Sequence, residues 1–353
     1  MMITSEQAYT YAKASGIIGK SFMRKRMQEL AAVSRLNELD RLVFGEKARE
    51  LPERALLFDL QRRIMQRTAE EILNLVKQAF PRFLAQELPV PQAMPPNLRL
   101  IQLCVQSYEY QDLKMVLTSL AKGDQTAPFH IDIAPFGSID FSAYPHLERM
   151  VRNSEFSWLI EKGPVYQNQN LVLALQNELD RRYYHLLWEA VQRLAYSEKG
   201  PVEDLLRREI EYKNFQWALR LKIYFDVPTE EIEKQLIQEQ YRGRSLAAET
   251  IRCLSLPVDQ ASAWATSPYY FLLNKETPDT PWKPDPRFVQ RHAALELYHR
   301  AWRYFRRYPF SLSALVCFIK LKQFEEDLLI SLSEGLALGF SGKDVLRELE
   351  VSP

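Results

Sequence analysis

The most chemically suggestive run in this 353-residue chain is Ala14-Ser-Gly-Ile-Ile-Gly19-Lys20-Ser21, which satisfies a relaxed phosphate-loop pattern. A working loop of that kind wraps phosphate in backbone N–H groups at a helix N-terminus and sets the lysine against the charge. It needs a buried strand before it, a helix after it and a carboxylate at the end of another strand to hold magnesium. Residues 7–13 read instead as helix, and no hydrophobic strand ending in Asp occurs in the sequence. Gly19-Lys20-Ser21 is therefore expected to be an interhelical turn without a nucleotide.

The other reactive residue types are scattered. His130, His146, His185, His292 and His299 form no HExxH and no metal-ligand spacing with the cysteines. Cys104, Cys253 and Cys317 lie in apolar helical patterns with no CxxC, the expectation for buried free thiols in a reducing compartment. There is no GxSxG nucleophile motif. His299-Arg-Ala-Trp-Arg-Tyr-Phe-Arg-Arg307 mixes base and aromatic, as nucleic-acid sites do. Helical spacing, however, puts Arg300, Arg303 and Arg307 on one face and Tyr298, Trp302 and Phe305 on the other. A solvated basic face is expected there, with an acidic protein partner as the second reading and nucleic acid as the third. Lys20, Arg24, Lys25 and Arg26 form a second basic cluster, read as plain surface. No catalytic, cofactor-binding or metal-binding residue is assigned, and no cofactor is expected.

The elements that would carry these residues are helices. Hydrophobic content of 46%, charged content of 26% and only 11 glycines favour an all-α chain able to bury a large core. A net charge of +1 gives no bias toward nucleic acid or an anionic surface. The N-terminus lacks the charged and apolar regions of a signal peptide. The longest apolar stretches, such as Phe310 to Ile319, fall short of the ~20 residues a membrane span needs. His130-Ile-Asp-Ile alternates like a strand, so any sheet is expected to be a two-stranded piece near 130–140.

The last 45 residues set the plan. After Pro309, Leu312, Leu315, Val316, Ile319, Phe324, Leu328, Leu332 and Leu336 fall at helical spacing, predicting a long helix opened by the proline. Gly339 ends it, and Ser341-Gly-Lys-Asp344 caps a short helix. Placing Asp327 on Asn214 puts Leu328 on Phe215, Leu332 on Leu219 and Gly339 on Asp226. A fainter copy places Asp112 on Asn214, with Leu113 and Leu117 following. Tyr184-His185-x2-Trp188 recurs as Tyr298-His299-x2-Trp302. Three related helical modules are expected, residues 1–125, 126–240 and 241–353, packed as one body. The recurrent Asp112, Asn214 and Asp327 are expected to be solvated, the alternative being one hydrogen bond per module to a neighbouring helix end.

With Ala8-Tyr-Thr-Tyr-Ala12, Glu109-Tyr-Gln-Asp-Leu-Lys114, Glu211-Tyr-Lys-Asn-Phe-Gln216 and the ending Pro309-Phe-Ser-Leu through Gly339-Phe-Ser-Gly-Lys-Asp-Val345, the chain resembles the C-type (or d-type) subunit family of rotary V-type and A-type ATPases. It departs from that family where an arginine is usual, having Lys114, Gln216 and Leu329, and in an eroded Lys320-Leu-Lys-Gln-Phe-Glu-Glu326. The resemblance implies a funnel of three similar modules with pseudo-threefold symmetry and no catalysis. It implies a central-stalk rotor component joining the D- and F-type shaft subunits to the c/K/L-type proteolipid ring for H+ or Na+ transport. It also implies one copy per complex, a monomer in isolation, and a place at the cytoplasmic face of the membrane. Two alternatives stand beside it: a helical-repeat scaffold of another complex, and a phosphate-binding protein using Gly19-Lys20-Ser21.

Overall fold

The computed structural model describes residues 5–23, 26–45, 51–81, 93–163, 169–276 and 281–351. The expected proline-rich turn at 88–96 and the basic residues Arg24 and Lys25 lie wholly or partly outside them.

Helices dominate. In order they are α1 (Ser5–Ile18), α2 (Met27–Ala31), α3 (Leu36–Phe44), α4 (Glu53–Ala79), α5 (Pro96–Lys122), α6 (Leu147–Val151), α7 (Trp158–Glu161) and α8 (Gln169–Gln192). Then come α9 (Tyr196–Phe225), α10 (Thr229–Gln235), α11 (Ala248–Leu254), α12 (Ala261–Trp264), α13 (Pro286–Arg307), α14 (Leu312–Ala337) and α15 (Gly342–Glu348). The only sheet among the described residues pairs β1 (Gln240–Tyr241) with β2 (Arg244–Ser245), antiparallel. The all-α expectation holds, but the two-stranded piece sits at 240–245, not at 130–140. The turn explains its position: Arg242 (φ 48°) and Gly243 (φ 76°) are both left-handed, the geometry that closes a two-residue hairpin.

The chain forms two compact units, residues 1–172 with 305–353, and residues 173–304. In the first, α14 lies along α4, with α1, α3 and α5 packed around the pair and α15 turned back onto α14 and α2. Both long helices bury a stripe: Leu312, Leu315, Val316, Ile319, Leu328, Leu332 and Leu336 on α14, and Leu56, Leu60, Ile64, Ile72, Leu75 and Val76 on α4. Each such side chain contributes ~1.5–3 kcal/mol when fully buried. In the second unit, α9 packs on α10 and α11 through Ala218, Ile232, Leu236, Ala247 and Leu254.

The long helices begin differently from the sequence reading. Pro96 is a first-turn proline of α5, as expected. Pro201, read from the sequence as the proline that opens the helix carrying Asn214, lies inside α9, which starts at Tyr196. Helix α14 starts not at Pro309 but at Leu312, where the Ser311 side chain accepts from the Ala314 N–H after a left-handed Phe310 (φ 59°). The sequence over 146–162 reads as one helix but forms two short ones, α6 and α7, and that over 229–241 reads as a helix but is helical only to Gln235. The ends agree better. A left-handed residue follows α5, α9 and α14, namely Gly123 (φ 77°), Asp226 (φ 49°) and Gly339 (φ 88°), allowing the next amide to fold back on the last turn. Ser341 caps α15 as expected, with Oγ accepting from Asp344 N at 3.2 Å and donating to its carboxylate at 2.6 Å.

Candidate functional site

Gly19-Lys20-Ser21 is the end of a helix, not its beginning. Gly19, Lys20 and Ser21 donate their backbone N–H groups to the carbonyls of Ser15 (2.9 Å), Ile17 (3.0 Å) and Ile18 (3.1 Å). The amides that a phosphate loop aims at its ligand are spent closing α1, and Lys20 stands exposed.

Two of the three recurrent polar residues are buried ties, which corrects their reading as solvated. Asp112 on α5 is 2% exposed and accepts from the Ile131 N–H at 2.8 Å. Asn214 on α9 is fully buried and bonds both backbone groups of Ile237. Asp327 on α14 is open to water, as expected. One turn before Asp112, Glu109 accepts from the N–H groups of Ser138 and Ile139, the latter at 2.6 Å. The 130–140 segment is thus held to α5 by two carboxylates, and the alternating His130–Ile133 run is tied through its Ile131 amide, not through a strand partner. Burial raises both carboxyls: that of Asp112 to about 7 despite the Ile131 bond, helped by the Glu109 charge, and that of Glu109 despite the Ser138 and Ile139 bonds. The apolar residues following the recurrent positions, Leu113, Phe215 and Leu328, and their partners Leu117, Leu219 and Leu332, are all buried.

The polar ties of the first unit converge on α14. Lys322 Nζ lies 2.7 Å from Glu71 Oε2 on α4 and also bonds Glu325, which accepts from the Phe22 N–H at 2.6 Å. Glu326 accepts from the Tyr108 hydroxyl at 2.9 Å, and Gln323 donates to Ser107 at 2.9 Å, joining α14 to α5. Burial drives the Glu326 carboxyl up to about 8, against the lowering effect of the Tyr108 bond. Burial also disfavours the Lys322 charge, but the carboxylates of Glu325 and Glu71 hold it above the ordinary lysine value. Sequence reasoning saw only an eroded charge pattern at 320–326. The signal it lacked was that Lys322, Glu325 and Glu326 share the apolar stripe of their helix.

In the second unit Arg300 is not part of a solvated face. It donates to Asp204 and Glu296, each at 2.7 Å, and Tyr304 donates to the same Asp204 oxygen at 2.7 Å. Arg303 and Arg307 are exposed, and Tyr298 and Phe305 are buried, as the spacing predicts. The matched histidines His185 and His299 are both exposed; His185 Nδ1 lies 2.8 Å from Glu239. The three cysteines are free and buried. Among the described residues no group of His, Cys, Asp and Glu could hold a metal ion. No helix among them is long and apolar enough to cross a membrane.

What each unit offers a partner is apolar surface at helix ends. Tyr224 and Phe225, 51% and 64% exposed, close α9, and Leu338 and Phe340, 76% and 55% exposed, flank the left-handed Gly339 after α14. Single exposed apolar residues are ordinary, but neighbouring pairs at the ends of long rigid helices suit a protein interface.

A helical body with such tips, and with polar side chains spent on internal ties, is matched by comparison with known proteins. The chain is 25% identical over 348 residues to an uncharacterized protein of Treponema pallidum (strain Nichols), covering 96% of this chain and 95% of that one. Residues 87–348 match the family model described as ATP synthase (C/AC39) subunit. That match spans most of the chain, and the protein belongs to the C/AC39 family of V/A-type ATPase subunits.

Proposed function

We propose that this chain is the non-catalytic central-stalk subunit of a V/A-type ATPase. In this reading it couples the D- and F-type shaft subunits of the ATPase head to the c/K/L-type proteolipid ring. Shaft rotation then drives H+ or Na+ transport, or ion flow drives ATP synthesis. It acts at the cytoplasmic face as one copy per complex, a monomer when isolated, built of three modules over 1–125, 126–240 and 241–353 around a pseudo-threefold axis.

The observation that carries this reading is the family match over residues 87–348. The internal ties fit it physically. A part that transmits torque must not shear between its helices, and Asp112, Asn214 and Lys322 each fix a helix to a neighbouring segment through buried polar contacts. The exposed apolar helix ends suit docking to partners without metal or covalent anchoring.

Membranes that hold the proteolipid ring but lack this protein test the role. They should fail to retain the soluble head, and adding the purified chain should restore ATP-driven ion pumping. If the head stays bound and coupled without the chain, the reading is wrong.

A further inference from the structure

In the unit formed by residues 1–172 and 305–353, a cavity of about 240 Å³ opens where the turn after α1 meets α4 and α14. Lys20, Arg67 and Lys322 line it, against the carboxylates of Glu71 and Glu325, so three positive charges face two negative ones.

Three of the four carboxylate oxygens accept hydrogen bonds, and the fourth, Glu71 Oε2, only faces Lys322 as an ion pair. Glu325 holds the Phe22 N–H and Lys322. Glu71 accepts from Arg67 Nε at 3.1 Å and sits 2.7 Å from Lys322 as an ion pair without hydrogen-bond alignment. The donors are not all used. Arg67 spends Nε on Glu71 and Nη1 on the Val43 carbonyl at 2.6 Å, leaving Nη2 without a partner among the described residues. The Lys20 ammonium at the mouth has none there either, and Ser21 Oγ accepts from Met23 N with its own proton to give. With unpartnered donors on Lys20 and Arg67, carboxylates already set against Lys322, Arg67 and the Phe22 amide, and one net positive charge, the cavity is complementary to an anion rich in acceptors. Its volume falls below the ~300–1,000 Å³ of ordinary ligand pockets, which favours a small ion over a nucleotide.

We propose that this cavity binds a small oxyanion of the size and charge of inorganic phosphate, held by Lys20, Arg67 and the Ser21 hydroxyl with Lys322 behind them. The grip is by side chains, unlike that of a phosphate loop, whose amides here are committed to α1. Bound there, the ion ties the α1 turn to α4 and α14. The site does not depend on the rotary role proposed above.

The test is calorimetric titration of the full chain with inorganic phosphate at constant ionic strength in chloride, with phosphorus NMR line widths as a second readout. Saturable binding of one phosphate per chain is expected. Lys20→Ala is the decisive variant because Lys20 is exposed and its loss leaves the helices intact, as an unchanged melting curve would show. It should weaken binding roughly fivefold, part of the tenfold that 1.4 kcal/mol represents. Arg67→Gln should weaken it further. Acetate serves as the carboxylate comparator: tighter binding of phosphate is expected, and tighter binding of acetate overturns the assignment. Absence of saturable binding to either ion, or equal affinity in Lys20→Ala and wild type, overturns it.

Discussion

Asn214 and Ile237 exchange two hydrogen bonds: Asn214 Nδ2 donates to the Ile237 carbonyl at 3.0 Å, and Ile237 N donates to Asn214 Oδ1 at 2.9 Å. The amide thus completes both backbone groups of a residue 23 positions on, as a strand neighbour would. Asn214→Ala leaves those buried groups unpaired and should cost about 2–4 kcal/mol, from ~1–3 for each unsatisfied group. Denaturant unfolding against wild type checks this, with Asp327→Ala as the control. Exposed Asp327 should tolerate alanine within about 0.5 kcal/mol.

Asp112 does half of the same work, accepting from Ile131 N with a carboxyl whose pKa is raised from 3.8 to about 7. A raised carboxyl binds its proton more tightly in the folded state, so its favourable contribution is full below about pH 4. It is lost as pH rises toward about 7. Asp112→Asn, which installs the amide found at Asn214, should be near neutral at about pH 5 and stabilising by about 1 kcal/mol or more above about pH 8. Melting temperatures across that range decide it. A variant that loses stability at both pH values would show that the carboxylate charge is needed.

The buried apolar positions after the recurrent polar residues give a stability series. Leu113→Ala and Leu328→Ala should each cost about 2–5 kcal/mol, and Phe215→Ala about 3–5, because Phe215 loses most volume and stacks on Tyr269 with ring centroids 4.3 Å apart. The measurement is the unfolding midpoint of each variant. Losses below about 1 kcal/mol at Leu113 or Leu328 would mark them as surface sites.

Gly342, the first residue of α15, lets that helix meet the chain after α2. Its N–H donates to the Val33 carbonyl at 2.8 Å, and a Cβ there would collide with the Leu30 carbonyl oxygen. Gly342→Ala should therefore release α15, seen as new protease cleavage after Gly339 while α14 stays protected. Ser341→Ala, which removes only the cap, should cost about 1 kcal/mol and leave α15 docked.

The helices were legible because their apolar residues recur at helical spacing over many turns, as with Leu56, Leu60 and Ile64 on α4. The cap at Ser341 was legible because serine and aspartate stand three apart. Features set by distant contacts were not. That Ile131 would return to Asp112, or Phe22 to Glu325, depends on where loops close, and nothing local to those residues states it. The hairpin at 240–245 hid behind an Arg-Gly turn in place of the usual Asn-Gly. Of the candidate ion cavity the sequence showed Lys20 alone, in a segment read as an interhelical turn without a nucleotide. Arg67 and Lys322 are 47 and 302 positions away, and only the packing of α4 and α14 brings them together.

The unit that holds both the early residues 1–172 and the late residues 305–353 also constrains how the protein is made. Helix α4 ends at Ala79 and its main partner α14 begins 233 positions later, at Leu312 (312 − 79). At ~5–20 residues per second that is a wait of roughly 10–50 s. During it the face carrying Leu60, Ile64, Ile72 and Leu75 lacks α14 and is covered by α1, α3 and α5, while residues 173–304 can already be complete. The newborn chain therefore spends its synthesis with its largest apolar seam half closed. Chaperone cover of that seam during synthesis is an expected outcome, checked by whether ribosome-bound chains stalled before Leu312 are protease-sensitive in α4.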